Sequence, residues 1–189
     1  MALLTITRRK EIFRTLKLGE YNKENILKFQ KKYFTRKQDL DGIYGRDTDI
    51  LLRHVYNCRN LRNFSPEEFR CECGGTYCTR YPDYMKSKTL GLIQRIRTYT
   101  GKPVIITSAL RCATQNKMDG GIQNSKHKTG KAIDFHISGI TTTITGRKKL
   151  INIIKEWDGH EYSYCWGYDS SGNNIYSPNM GNSIHIQTK

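Results

Sequence analysis

The segment SKHKTGKAIDFHI, residues 125–137, limits the possible folds more than any other part of the sequence. Apolar side chains at every second position over 133–137 predict a strand with one buried face, and Asp134 lies on the opposite face. Gly130 marks a turn before this strand, and His127 precedes the turn. A loop and a strand in this order can bring an imidazole and a carboxylate to one point.

A second histidine lies in SIHIQ, residues 183–187, where alternating isoleucines predict another strand with His185 on the polar face. If this strand pairs beside residues 132–138, His185 joins His127 and Asp134. Two imidazoles and one carboxylate suit Zn²⁺ with an open fourth position, where the pKa of a bound water falls towards ~7. On spacing alone, a structural hydrogen-bonded histidine is the commoner case.

Helical patterns come first along the chain and strand patterns come later, which predicts an α+β fold. We expect a small helical module over 1–58, a polar and basic linker over 59–63, and a larger domain over 64–189. The larger domain is expected to have a central, mostly antiparallel sheet. Its length is sufficient for a well-buried core.

Within the larger domain, NFSPEEF, residues 63–69, predicts a capping box at a helix start. A helix is expected over about 83–99, ended by a glycine, and a buried strand over 104–109. An amphipathic helix is expected over 146–157. Three closing strands are expected from YSYCWGY (162–168), NNIYS (173–177) and SIHIQ.

The helical module is predicted from ENILKFQKKYF, residues 24–34, whose apolar side chains share one helical face: Ile26, Phe29 and Tyr33. Glycines in DLDGIYGRDT, residues 39–48, mark a tight loop. Asp47 or Thr48 is the expected start of the next helix.

The charge of the chain is strongly positive, with 32 basic against 17 acidic side chains and a net charge of +15. Such a charge favours a polyanionic partner such as nucleic acid, anionic wall polymer or acidic lipid. The basic residues are scattered and no nucleic-acid-reading motif is present, so a solvated basic surface is the simpler interpretation. No apolar run approaches the ~20 residues of a membrane span.

The N-terminus, MALLTITRRK, has too short an apolar stretch for a signal peptide, and its charges follow that stretch. We therefore expect synthesis in a bacterial cytoplasm without an export signal. Without export, the six cysteines do not predict a disulfide framework. Three of them cluster in CECGGTYC, residues 71–78, and a fourth thiolate could complete a structural zinc site. That spacing is uncommon for zinc, which favours reduced, partly buried thiols.

Several motifs together resemble the zinc D-Ala-D-Ala carboxypeptidase family of peptidoglycan peptidases. They are TSALRC (107–112), Asn116, SKHKTGKAIDF (125–135) and the late IHIQ (184–187). The upstream NFSPEEFRCECG looks like the phage and bacterial murein-peptidase branch of that family. The resemblance covers about 64–189 and implies hydrolysis of a stem-peptide bond, either D-Ala–D-Ala or L-Ala–D-Glu.

The resemblance also implies roles for particular residues. Three match zinc ligands: His127, Asp134 and His185. Arg111 matches an arginine that polarises the scissile carbonyl or grips substrate, since its permanent cation can hold an oxyanion or a carboxylate. Ser125 and Asn116 match substrate-binding positions. An ordinary ion pair for Arg111 and a turn-starting role for Ser125 are the structural alternatives.

The general base is not identified by the resemblance. Many members carry an acid three residues before the last histidine, where this chain has Asn182, and some carry Asp two residues after it, where this chain has Gln187. Neither side chain can take a proton from water. Three titratable residues of the preceding segment are candidates instead: His160, Glu161 and Asp169.

Residues 26–52 resemble the peptidoglycan-binding module of wall hydrolases, with a helix ending in F-Q, then D-G-x-x-G-x-x-T and a second helix. Asp41 and Thr48 are expected to stabilise the loop rather than to touch ligand. Tethering to the wall raises local substrate concentration, which suits a wall peptidase. We therefore expect a phage lysin or a virion-carried enzyme that degrades the wall. A non-catalytic wall-binding protein that keeps its zinc site is the alternative.

Overall fold

A computed structural model gives the fold of the chain and describes residues 2–158, 162–166 and 182–188. These residues include six α-helices, which are α1 (Ile6–Thr15), α2 (Lys23–Tyr33), α3 (Arg46–Cys58), α4 (Ser87–Thr100), α5 (Ala113–Met118) and α6 (Ile144–Asp158). They also include four strands, which are β1 (Ile105–Ser108), β2 (Ala132–His136), β3 (Tyr162–Trp166) and β4 (Ile184–Thr188). Short 3₁₀ helices occur at Lys37–Asp39, Pro66–Phe69 and Lys126–Thr129.

The four described strands form one antiparallel sheet in the order β1-β2-β4-β3. The predicted α+β class with an antiparallel sheet is confirmed. β2 lies inside the sheet, and Ile133 and Phe135 on its apolar face are fully buried. β4 pairs beside β2, the arrangement that brings His185 towards Asp134, and this register sets the two residues opposite each other.

Among the predicted elements of the larger domain, β1 and α4 differ from expectation. β1 is shorter than 104–109 and is not wholly buried, because it lies at the sheet edge, where Ile105 is 53% exposed. α4 begins at Ser87 rather than near 83. The backbone just before α4 pairs with another segment, because the Lys86 N–H donates to the carbonyl of Gly130 at 2.9 Å.

The N-terminal helices also differ from expectation. α3 begins after Gly45 rather than at Asp47 or Thr48, because the buried Thr48 hydroxyl accepts a hydrogen bond from Gln30 instead of capping. α1 was not predicted from the sequence. It begins after Thr5, whose side chain forms the N-cap. The capping box predicted at residues 65–68 is present. The strand expected over 173–177 lies outside the described residues.

Gln30, at the end of the F-Q motif, holds the glycine-containing loop that follows α2. Its Nε2 donates to Asp41 Oδ1 at 2.9 Å and to Thr48 Oγ1 at 3.1 Å. The backbone N–H of Gly42 donates to Gln30 Oε1 at 2.8 Å. A buried side-chain amide whose nitrogen and oxygen both form hydrogen bonds fixes a loop that has little regular structure of its own. This agrees with the loop-stabilising role expected for Asp41 and Thr48.

The buried apolar side chains form one main cluster, to which α1, α2 and α3 contribute together with α4, α6 and the sheet. Helices α1 to α4 and α6 therefore share one core with the sheet, and the division of the chain by a linker at 59–63 stays a prediction. None of the described helices combines the length and the apolar character that crossing a membrane requires.

His54 of α3 joins the N-terminal helices to the rest of the chain. The imidazole is fully buried, its Nε2–H donates to the carbonyl of Pro66 at 2.9 Å, and its Nδ1 accepts from the Met85 N–H at 3.3 Å. Both ring nitrogens are therefore satisfied in the neutral form. Burial lowers the pKa of His54 to about 4, because a charged ring would lose its hydration.

Lowering the pH from 7 to 5 is expected to cost about 2 kcal/mol of unfolding free energy through His54 alone. The unfolded imidazole binds a proton below its usual pKa, and the folded one does not until about pH 4. Stability present above the unfolded pKa is thus lost as the pH falls. Urea unfolding of the wild type and His54→Gln at both pH values tests this. Equal pH dependence in the two proteins would contradict the assignment.

Candidate metal centre and cleft

Three side chains converge where β2 and β4 meet the 3₁₀ helix Lys126–Thr129. His185 Nδ1 lies 2.6 Å from Asp134 Oδ1. His127 Nε2 lies 3.3 Å from the same carboxylate oxygen and 3.3 Å from His185 Nδ1. The structure thus brings together the three zinc ligands that the resemblance implies. Their positions come from the β2–β4 register and from one loop that precedes β2.

Gly130 fixes the path of the chain between His127 and β2. Its φ of +65° lies in the left-handed region, and a Cβ at this position would come 2.1 Å from the carbonyl oxygen of Tyr84. Any other residue would push the loop away from that backbone. The glycine in the sequence motif therefore lets His127 turn back over the strand that carries Asp134.

Hydrogen bonds on the far side of each ring orient the two imidazoles. His127 Nδ1–H donates to the carbonyl of Ala109 at 2.7 Å, which turns Nε2 towards Asp134. His185 Nε2 lies 3.2 Å from Gln187 Oε1 and donates to it, which turns Nδ1 towards the same point. Metal-binding histidines commonly donate their second N–H to an oxygen in this way.

Asp134 is shared between the histidines and Arg111. Oδ1 faces the two imidazoles, and Oδ2 accepts a hydrogen bond from Arg111 Nη2 at 2.7 Å. Burial raises the pKa of Asp134, but hydrogen bonds and charge interactions with His127 and His185 outweigh it and hold that pKa well below its usual range. The carboxylate is therefore ionised, which is the form that binds metal.

The three donor atoms fit a zinc ion. They lie within 4.8 Å of one another. Two ligands about 2.1 Å from a tetrahedral zinc lie about 3.4 Å apart, which agrees with the two 3.3 Å separations made by His127 Nε2 and exceeds the 2.6 Å between His185 Nδ1 and Asp134 Oδ1. Two neutral nitrogens and one ionised oxygen are also a common catalytic zinc donor set.

A cleft of about 910 Å³ opens over this centre. Arg111, Ser125, His127, Asp134 and His185 all line it, as do residues that were not predicted. The centre is therefore accessible to a peptide-sized ligand.

Asn116 does not line the cleft with the other predicted residues. It is 3% exposed, and its Nδ2 donates to the carbonyl of Ile122 at 3.0 Å. The N–H of Gly121 donates to the backbone carbonyl of Asn116. Asn116 thus lies beneath the loop that forms one wall of the cleft. In the structure Asn116 supports that loop, and it does not line the cleft, where the resemblance implies a contact with substrate.

Two acidic residues line the cleft that were not predicted from the sequence, Glu72 and Asp119. Asp119 Oδ2 lies 3.2 Å from Arg111 Nε. Partial burial and the negative charge of Asp119 raise the pKa of Glu72, although Arg111 opposes this. The sequence signal for Glu72 is limited to its position between two cysteines. No local pattern shows that residues 71–78 approach β2.

Asn182 and Gln187, which stand where the resemblance implies an acid, lie in different places. Asn182 is exposed, and its Oδ1 accepts a hydrogen bond from Arg147 at 3.4 Å. Gln187 lines the cleft and supports His185. The candidate bases His160, Glu161 and Asp169 lie outside the described residues.

Two imidazoles and a carboxylate at the floor of an open cleft form a donor set that metal-dependent hydrolases use. A sequence profile of the Peptidase M15 family matches residues 62–168, more than half of the chain, and the chain belongs to this family. It is therefore a metallopeptidase. The match includes His127 and Asp134 but ends before His185, which the fold brings to them. A search of curated proteins finds no match.

Proposed function

We propose that this chain is a zinc-dependent peptidase that cleaves a peptide bond in the stem peptide of peptidoglycan. One observation carries the proposal: His127, Asp134 and His185 converge on one point of an open cleft, with a cationic side chain beside them. The wall substrate is supported by the resemblance of residues 26–52 to a peptidoglycan-binding module. The net charge of +15 also suits anionic wall polymers better than a specific nucleic-acid site.

In this proposal His127, Asp134 and His185 hold the zinc ion. When bound, the ion acts as a Lewis acid that activates water and polarises a carbonyl at neutral pH. Arg111 serves two purposes in the cleft. It fixes Asp134 through Oδ2, and its guanidinium presents a permanent positive charge to the oxygen of a peptide carbonyl or to a substrate carboxylate.

Glu72 is our candidate for the residue that accepts a proton from water. Besides Asp134, it and Asp119 are the carboxylates among the described residues that line the cleft. Asp119 is paired with Arg111 and accepts a hydrogen bond from Gln115 at 2.7 Å. Its charge is therefore already engaged, whereas Glu72 borders the same space as the proposed zinc ligands. A carboxylate in such a position can accept a proton and later return it to the leaving amine.

Mass spectrometry of fragments released from purified peptidoglycan tests the proposed function. We expect new peptide termini with the zinc-loaded chain and none with a chelator present. The identity of the new amino terminus separates D-Ala–D-Ala from L-Ala–D-Glu cleavage. Wall binding without release by a folded, zinc-loaded chain would refute the enzyme proposal and support the non-catalytic alternative. The phage or virion setting, and action on the wall after release from the cytoplasm, stay predictions.

A further inference from the structure

Four cysteines from two distant parts of the chain meet beside the cleft. Cys71, Cys73 and Cys78 come from the loop before α4, and Cys112 comes from the start of α5. Their four Sγ atoms lie within 4.8 Å of one another, and Cys73 Sγ is 3.3 Å from Cys78 Sγ. All four are free thiols in the structure. The sequence shows the first three as a cluster, but only the fold supplies the fourth.

The loop that carries three of these thiols has no regular secondary structure. Residues 71–80 contain no helix or strand, and Gly74, Gly75 and Arg80 all have positive φ. The cysteines form a small buried cluster of their own, separate from the main core. Because the loop inserts no large apolar side chain at this point, packing alone explains poorly why it keeps one conformation.

The geometry of the four thiols fits a tetrahedral metal site. Ligands about 2.3 Å from a zinc ion lie about 3.8 Å apart, which agrees with sulfur atoms that are all within 4.8 Å. Backbone N–H groups also point at two of the sulfurs. The Cys112 N–H donates to Cys71 Sγ at 3.3 Å, and the Gln115 N–H donates to Cys112 Sγ at 3.4 Å. Such donors favour the thiolate form that binds metal.

We propose that Cys71, Cys73, Cys78 and Cys112 bind a second zinc ion, with a structural role. Four thiolates fill the tetrahedral coordination shell, so this site has no open position for water or substrate. Zinc binding displaces the thiol protons to solvent and involves no oxidation. The site is independent of the proposed peptidoglycan activity, because its ligands are separate from the His127 centre.

This second site would fix two residues at the cleft. Glu72 lies between two of the cysteines, and Arg111 immediately precedes Cys112. One ion bound to all four sulfurs would therefore join the loop that carries Glu72 to the segment that carries Arg111. Loss of the ion is expected to loosen both sides of the cleft without removing a ligand of the catalytic centre.

Zinc content of the full chain, purified under reducing conditions, tests the proposal. We expect two zinc ions per wild-type chain, and one per chain in Cys73→Ser. Cys58→Ala is the matched control, because Cys58 is also buried but lies in α3 outside the cluster, and it should keep two. Cobalt substitution gives a readout that needs no variant, since a four-thiolate site produces intense sulfur-to-cobalt charge-transfer absorption.

Two results would overturn this proposal. One is a single zinc per wild-type chain, with no thiolate charge-transfer absorption in the cobalt form. The other is a disulfide among residues 71, 73, 78 and 112, found by mass spectrometry in the freshly purified chain. Neither result bears on the His127 centre. His127→Ala is still expected to remove the remaining zinc. Failure of peptidoglycan hydrolysis alone does not change the expected zinc count.

Discussion

Replacing His127 with alanine is expected to remove the metal from the cleft and to abolish peptidase activity while the fold persists. The variant keeps only Asp134 and His185 of the three donors, and two ligands hold zinc poorly in a catalytic site. The activity should fall by more than the ~10–100-fold that loss of a supporting partner alone typically causes. The cost in folding free energy is expected to be about 1–3 kcal/mol, since the buried carbonyl of Ala109 loses its donor.

His136→Ala provides the matched control. His136 is a half-buried histidine, two residues beyond Asp134 on β2, and it is outside the metal cluster and the cleft. We expect this control to retain both zinc and activity. Metal content, circular dichroism and release of wall fragments should be measured on the same preparations of both variants. Full activity in folded His127→Ala would refute the assignment of the cleft as the catalytic centre.

The sequence predicts the centre of the sheet well because the relevant information is local. Alternation along residues 132–137 and 183–187 is enough to define two strands, and it puts Asp134 and His185 on polar faces. Gly130 likewise marks its own turn, although its close approach to Tyr84 becomes visible only in the fold. Each of these features depends on a period of two or on one special backbone angle.

The rest of the site depends on contacts between segments that are distant along the chain. Cys112 is 34 residues beyond Cys78, and no spacing rule joins it to CECGGTYC. Glu72 reaches the cleft because its loop packs beside the start of α5. No sequence pattern predicts that contact. α1 was missed for a related reason. Of its ten residues, Ile12 and Phe13 are the buried ones, so its amphipathic signal is weak.

Glu72→Gln is expected to lower kcat by about 10²–10⁴-fold, the usual effect of removing a proton-transfer group. The amide keeps the size of the side chain but cannot accept the proton from water. Because the substitution leaves His127, Asp134, His185 and the four cysteines in place, the zinc content should not change. KM should also change little, since the lost interaction belongs to the transition state.

Asp119→Asn separates this role from a general effect of negative charge in the cleft. Asp119 borders the same cleft, but its carboxylate pairs with Arg111, so its loss should act mainly on substrate binding and raise KM. Steady-state kinetics of both variants on a defined stem peptide, with zinc content measured in parallel, distinguish the two effects. If Glu72→Gln keeps its zinc and more than a tenth of wild-type kcat, Glu72 is not the base. The candidates for the proton acceptor are then His160, Glu161 and Asp169.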